Sequence, residues 1–192
     1  MLLLAVGLAL FFAVHVLPSR PELRQGLIGR FGETAYKLGF AVVSLAGLAL
    51  IVVGYHKLQL NPGKNPILWT TPPWLRHGVL LAMLPALILL VAAYVPSRIR
   101  TAVRHPMLAA VKLWALAHLA VNGDLGSLLL FGGFLAYGVY DRFSVQQRQA
   151  LGPLGASTGG LGGDVAVVAI GAALWYVMLK WGHAWLIGVP VL

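Results

Sequence analysis

Six histidines, at positions 15, 56, 77, 105, 118 and 183, and the absence of cysteine define the chemistry open to this chain. Without a thiol there are no disulfides, zinc fingers, thiolate nucleophiles, iron–sulfur clusters or covalently attached c-type haem. The imidazoles that remain can carry protons or ligate a metal. The densest grouping opens with Arg104-His105-Pro106, where proline suits the first turn of a helix. Beyond it, Val111, Trp114, His118 and Asn122 recur at helical spacing and share one stripe. That stripe presents an indole, an imidazole and an amide to the interior of a bundle. Asn122-Gly123-Asp124 reads as a tight turn into the next apolar segment. The plainer alternative makes Trp114 a packing residue, His118 an interhelical hydrogen-bonding group and 122–124 only a turn.

Elsewhere the signals are thinner. His15 has Phe11 and Phe12 on its face, one turn earlier, and is either a ligand or a helix-end histidine bonded to a neighbouring carbonyl. His56 and His183 stand beside Tyr55, Trp181 and Trp185, a setting in which an interfacial histidine is inexpensive. Lys112 falls near mid-helix, where it either snorkels to the interface or pairs with an acid or a propionate-like anion. Asp141-Arg142 reads as a local ion pair, and Gly132, Gly133 and Gly138 permit close helix packing beside Leu130, Phe134 and Tyr137.

The elements that must position these groups follow from composition. Of 192 residues, 59% are hydrophobic and only 10% charged, against about 25% charged in a soluble domain. So few charges cannot cover a water-facing surface, which excludes a cytoplasmic globular enzyme. Six apolar stretches run over 2–17, 35–55, 78–95, 107–121, 125–140 and 165–189. Spanning a bilayer takes about 20 residues, so the second, third and sixth pass comfortably. The first, fourth and fifth are short, and would thin the bilayer, extend into flanking residues or sit partly within the bundle. The first stretch lacks a basic lead-in and a small-residue cleavage site, and reads as a retained helix. The expectation is therefore an all-α, polytopic integral membrane protein, a single domain over residues 1–192 with about six transmembrane helices in one bundle. Polar groups at membrane depth are functional by default.

Fourteen basic residues against five acids give a formal charge of +9. In this setting the excess points to loops facing anionic lipid, with no nucleic acid as partner. Nine of the 14 basic residues fall on one side, four on the other, and Lys112 lies within a span. The positive-inside rule then puts both termini outside, in the periplasm of a bacterium. Segment 19–36 carries Leu23, Leu27, Ile28 and Phe31 among Arg20, Arg24 and Arg30, and reads as a basic amphipathic helix on the inner interface. The glycine-rich stretch 152–163 has no Lys-Ser/Thr after it, so it is no P-loop and reads as a flexible connector.

Three segments carry a family resemblance. They are His15…Pro18-Ser19-Arg20-Pro21 with Gly32-Glu33…Tyr36-Lys37; Pro73-Trp74-Leu75-Arg76-His77; and Arg104-His105-Pro106-Met107-Leu108 through Trp114-Ala115-Leu116-Ala117-His118 to Asn122-Gly123-Asp124…Phe131-Gly132. Together they resemble the bacterial NnrU family of membrane proteins, associated with nitrite and nitric oxide reduction in denitrifying bacteria. That family is in turn similar to the plant zeta-carotene isomerase, a membrane enzyme that uses haem b for cis–trans isomerisation. The resemblance implies a helical bundle in the bacterial inner membrane that binds haem b, with His15 and His118 as iron ligands. It further implies a hydrophobic polyene substrate or respiratory reductase components as partners.

Non-covalent haem suits a chain with imidazoles and no thiol, and Arg76 and Arg104 can pair with propionates. With both termini outside, His15 lies about 20 Å along its helix from the outer end, and His118 about 5 Å. A haem lying nearly flat accommodates that offset. Otherwise the depths pair His77 with His118 in the outer layer and leave His15 with His105 in the inner one. The cofactor-binding candidates are thus His15, His118, His77, His105, Trp114, Asn122, Arg76 and Arg104. Two other readings stay open. Arg104-His105-Pro106 is similar to a motif of isoprenylcysteine-type membrane methyltransferases, although the glutamate pair of that pattern is missing. The third reading is a non-catalytic assembly factor for respiratory reductases.

Overall fold

A computed structural model describes residues 1–191. The chain packs as two compact units, Met1–Pro66 and a second that begins at Ile67. In the first, helix α1 (Leu2–Val16) runs through a 3₁₀ turn into α2 (Pro21–Phe31), and α3 (Glu33–Gln59) follows after a break at Gly32. Gly32 has φ +84, a conformation open to glycine that ends one helix and re-aims the next.

Helices α1 and α3 meet along a seam of glycines. A Cβ on Gly7 would fall 2.7 Å from the Ile51 nitrogen, one on Gly47 2.9 Å from the Phe11 nitrogen, and one on Gly54 2.5 Å from the Leu4 nitrogen. The backbones therefore touch directly and antiparallel, as small residues allow in apolar helix pairs. Leu4 is fully buried and Ile51 nearly so. Helix α2 buries no side chain, and Leu23 and Phe31 on it are about 60% exposed (60% and 58%). Its arginines lie over aromatic rings, Arg24 5.7 Å from the Tyr36 centroid and Arg30 5.2 Å from Phe31. An exposed apolar and basic surface of this kind matches the amphipathic helix read from residues 19–36.

The second unit contains α4 (Leu75–Ala92), the short α5 (Arg98–Val103), α6 (Pro106–Val121), α7 (Leu125–Gln147), α8 (Leu161–Val177), a π-helical turn over Met178–Gly182 and α9 (His183–Ile187). Helix α6 packs between α4 and α7, burying Ala110, Ala115 and Ala117. Helix α8 lies antiparallel on α4. Gly171 abuts Ile88, and the Trp175 indole donates to the Leu80 carbonyl at 2.9 Å.

Each of the six apolar stretches is largely helical, and among the described residues four helical segments are long and apolar enough to cross a membrane: Leu2–Ser19, Glu33–Gln59, Leu75–Ala92 and Leu161–Ile187. Helix α6, at 16 residues, rises about 24 Å, short of the ~30 Å hydrocarbon core. Helix α7 has the length, 23 residues, but glycines, tyrosines and its Asp141-Arg142 dilute its hydropathy.

Two loops are more ordered than their composition suggests. Segment 67–71 clasps the α6–α7 turn. The Gly123 carbonyl accepts from the Leu68 and Trp69 nitrogens at 2.7 and 3.1 Å, and Thr71 Oγ1 donates to Val121 at 3.3 Å. The glycine-rich stretch 152–163 is tethered, and so differs from the flexible connector read from its composition. The guanidinium of Arg100, 6% exposed, donates to the carbonyls of Ser157 and Gly155 at 2.5 and 2.6 Å. At the far end Asp164 accepts from the backbone of Arg98 and Ile99 and pairs with the Arg98 side chain.

Candidate functional site

Two histidines are held alike. His118, near the end of α6, donates through Nδ1 to the carbonyl of Trp114 at 2.9 Å. His15, at the end of α1, donates through Nδ1 to the carbonyl of Phe11 at 2.7 Å. A carbonyl only accepts, so the proton sits on Nδ1 and Nε2 keeps its lone pair. That is the form in which imidazole ligates a metal, with its other nitrogen tied to backbone.

Aromatic rings fix both side chains. His15 stacks on Phe11 at 3.9 Å between centroids and lies 5.1 Å from Phe40 of α3, where the glycine seam ends. His118 stacks on Phe131 of α7 at 4.7 Å and lies 5.5 Å from Trp114. Trp114 in turn meets Phe131 and Phe134 edge-on at 5.0 and 5.4 Å. The stripe expected on α6 thus brings Trp114 and His118 to a common aromatic wall.

His183 completes this cluster, and the sequence reading gave it little weight. Its ring lies 6.4 Å from that of His118, with the planes 15° apart. Its Nδ1 donates to the Val189 carbonyl at 2.6 Å, so its Nε2 also keeps a lone pair. Beside Trp181 and Trp185 the residue looks interfacial in sequence, and helical periodicity gives no sign of the π-helical turn that delivers it.

The other candidates are placed differently. Asn122 folds back to cap its own helix, its amide donating to the His118 carbonyl at 2.9 Å. His77 is exposed at the start of α4, with Nδ1 3.4 Å from the Trp74 carbonyl, and Arg76 is exposed beside it. Arg104 and His105 lie before the first turn of α6, whereas His118 is near its last. His105 is 13 positions before His118, which puts both residues about 20 Å from it, too far to share a ligand's edge with it. Burial, then the charge of Arg142, holds His105 below the ordinary histidine range, with Arg104 adding to the effect and Asp141 opposing it.

Lys112 lays its stem against Gly138, where a Cβ would come within 2.9 Å of Cγ, and no acid pairs with it among the described residues. Asp141 pairs with Arg148 at 3.3 Å, about two turns along α7, and not with the neighbouring Arg142 expected from the sequence. Arg142 turns instead to Gln146 at 3.5 Å. Among the described residues no three His, Cys, Asp or Glu converge as a bare-metal site. A planar cofactor that brings four ligands of its own would need only one or two imidazoles, and His118 and His183 each have Nδ1 on a backbone carbonyl and Nε2 unprotonated.

Apolar helices of membrane-crossing length, with an aromatic-walled histidine cluster in the second unit, define an all-α polytopic membrane protein. The chain matches the NnrU protein family over residues 3–191 and belongs to it. No curated protein and no solved structure gives a significant match.

Proposed function

We propose that this NnrU-family protein binds haem b non-covalently in the bacterial inner membrane. It serves either redox-dependent cis–trans isomerisation of a polyene lipid or the support of nitrogen-oxide respiration. The observation that carries the reading is His118: Nδ1 bonded to backbone, Nε2 available, and an aromatic wall around the ring. His183, whose ring lies 6.4 Å from that of His118 with the planes 15° apart, would be the second imidazole to hold the group. The isomerase resemblance adds His15 as the alternative second ligand.

When bound, the haem supplies a redox-active iron whose potential follows its axial ligands and surroundings. The chain does the rest. The Trp114 carbonyl fixes the tautomer and orientation of the His118 imidazole. Trp114, Phe131 and Phe134 present flat apolar surfaces and exclude water from that edge. The charge asymmetry of the loops sets the orientation, with both termini periplasmic and 152–163 cytoplasmic.

Purification after haem-replete expression, followed by a pyridine haemochrome assay, tests the reading. The expected result is a b-type spectrum at about one haem per chain. Haem-free protein that also fails to take up added hemin ends it. For orientation, Ser157→Cys is expected to resist a membrane-impermeant thiol reagent in intact spheroplasts while Lys64→Cys is labelled. The reverse pattern overturns it.

A further inference from the structure

At the start of α6, the end away from His118, lies a cavity of about 500 Å³ between α5, α6, the end of α7 and the tethered glycine-rich segment. Its charged and titratable lining is Arg100, Arg104, Arg142 and His105, with no carboxylate among its wall residues. The acids of this unit are engaged elsewhere. Asp124 bonds Ser127, Asp141 pairs with Arg148, and Asp164 pairs with Arg98. Arg104 and Arg142 therefore have no acid partner among the described residues. Arg100 spends part of its guanidinium on the Gly155 and Ser157 carbonyls, fixing that wall in place.

The backbone adds two features. Val103–His105 forms a γ-turn of the rarer kind, with Arg104 at φ 63 and ψ −49 and the His105 nitrogen donating to the Val103 carbonyl at 2.7 Å. This turn is strained for a side-chain-bearing residue, and such strain collects at ligand-binding positions. Gln149, also on the wall, has φ 48. The turn also delivers the chain into the first turn of the 16-residue α6, which has no side-chain cap, so its orphan N–H groups add positive potential there.

We infer that this cavity binds a phosphate group, carried by a soluble phosphorylated molecule or by a lipid headgroup. Guanidinium forks match phosphate oxygens in pairs, and clustered arginines without acids create an unmet positive charge that a divalent anion neutralises. The cavity is distinct from the His118 cluster, so the inference stands or falls apart from haem binding.

The test uses the full chain in nanodiscs of phosphatidylcholine. Inorganic pyrophosphate is titrated calorimetrically in one arm. In the other, native mass spectrometry follows retention of phosphatidic acid added to the disc. Saturable pyrophosphate binding identifies a soluble source, and selective retention of phosphatidic acid a headgroup. In either arm Arg142→Gln and Arg104→Gln are expected to weaken binding about tenfold or more, the size of a lost charge-assisted hydrogen bond. Lys64→Gln, which is not among the lining residues, is expected to leave it unchanged. Arg142→Gln carries the decision if Arg104→Gln proves misfolded by circular dichroism. No saturable binding in either arm, or binding that Arg142→Gln and Lys64→Gln reduce equally, overturns the inference.

Discussion

The imidazoles of His118 and His183 lie nearly parallel, centroids 6.4 Å apart, although 65 positions separate them in the chain. One rises from the packed face of α6 and the other follows a π-helical turn after α8. Each has its Nδ1 committed to a main-chain carbonyl, so their Nε2 atoms are the nitrogens free to ligate.

The ligand assignment can be read from absorption spectra. His118→Ala is expected to shift the Soret band and change the iron spin state, because an axial imidazole is lost. His183→Ala is expected to do the same if it supplies the second ligand, and His15→Ala if that residue does. His56→Ala is the unaffected control, and His77→Ala tests the pairing that the depth argument favours. Unchanged spectra in both His118→Ala and His183→Ala would remove this cluster as the haem site.

The clasp on the α6–α7 turn gives a stability prediction. A Cβ at Gly123 would collide with the Trp69 carbonyl, whereas one at Gly63 meets nothing within 4 Å. Gly123→Ala is expected to destabilise by roughly 2 kcal/mol or more, the scale of forced overpacking, with Gly63→Ala much milder. Thermal unfolding in detergent compares them, and equal melting temperatures for the two would refute the clasp.

Arg100 tethers the segment 152–163 through two charge-assisted hydrogen bonds, each worth roughly 1.5–3 kcal/mol. Arg100→Met keeps much of the packing volume and loses both. Faster proteolysis and faster amide exchange confined to 152–159 are expected. Cleavage rates matching the parent chain would mean that the tether is not what orders this segment.

His105 gives a pH dependence with a definite sign. Its folded-state pKa is lowered from 6.5, first by burial and then by Arg142, so the unfolded chain takes up the proton more readily. Stability is therefore full above the ordinary histidine range and declines as pH falls through 6.5 towards the lowered value. Titration of the His105 imidazole by NMR is expected to give a midpoint below 6.5, and a midpoint above it contradicts the burial seen here.

Much of this arrangement was readable from residue pattern. Apolar runs marked every long helix, because burial in lipid leaves composition little latitude. Trp114 and His118 were placed together because both lie on one stripe of one helix. Asn122 was on the same stripe, yet its amide turns back to its own helix end, a choice set by local hydrogen bonding that spacing does not encode. His183 was missed for a different reason: a π-helical turn breaks the period by which faces are read. The tether on 152–163 was hidden too, since its anchors, Arg100 and Asp164, lie outside the glycines and depend on tertiary contact.

That π-helical turn, Met178–Gly182, has an angular consequence. An α-helix advances about 100° per residue, so widening one turn resets the azimuth of everything that follows. The bearing of His183 is thus encoded in the length of the five residues before it. Removing one of them would rotate the imidazole roughly a quarter-turn away from α6, leaving both histidines in the chain and dissolving the pair.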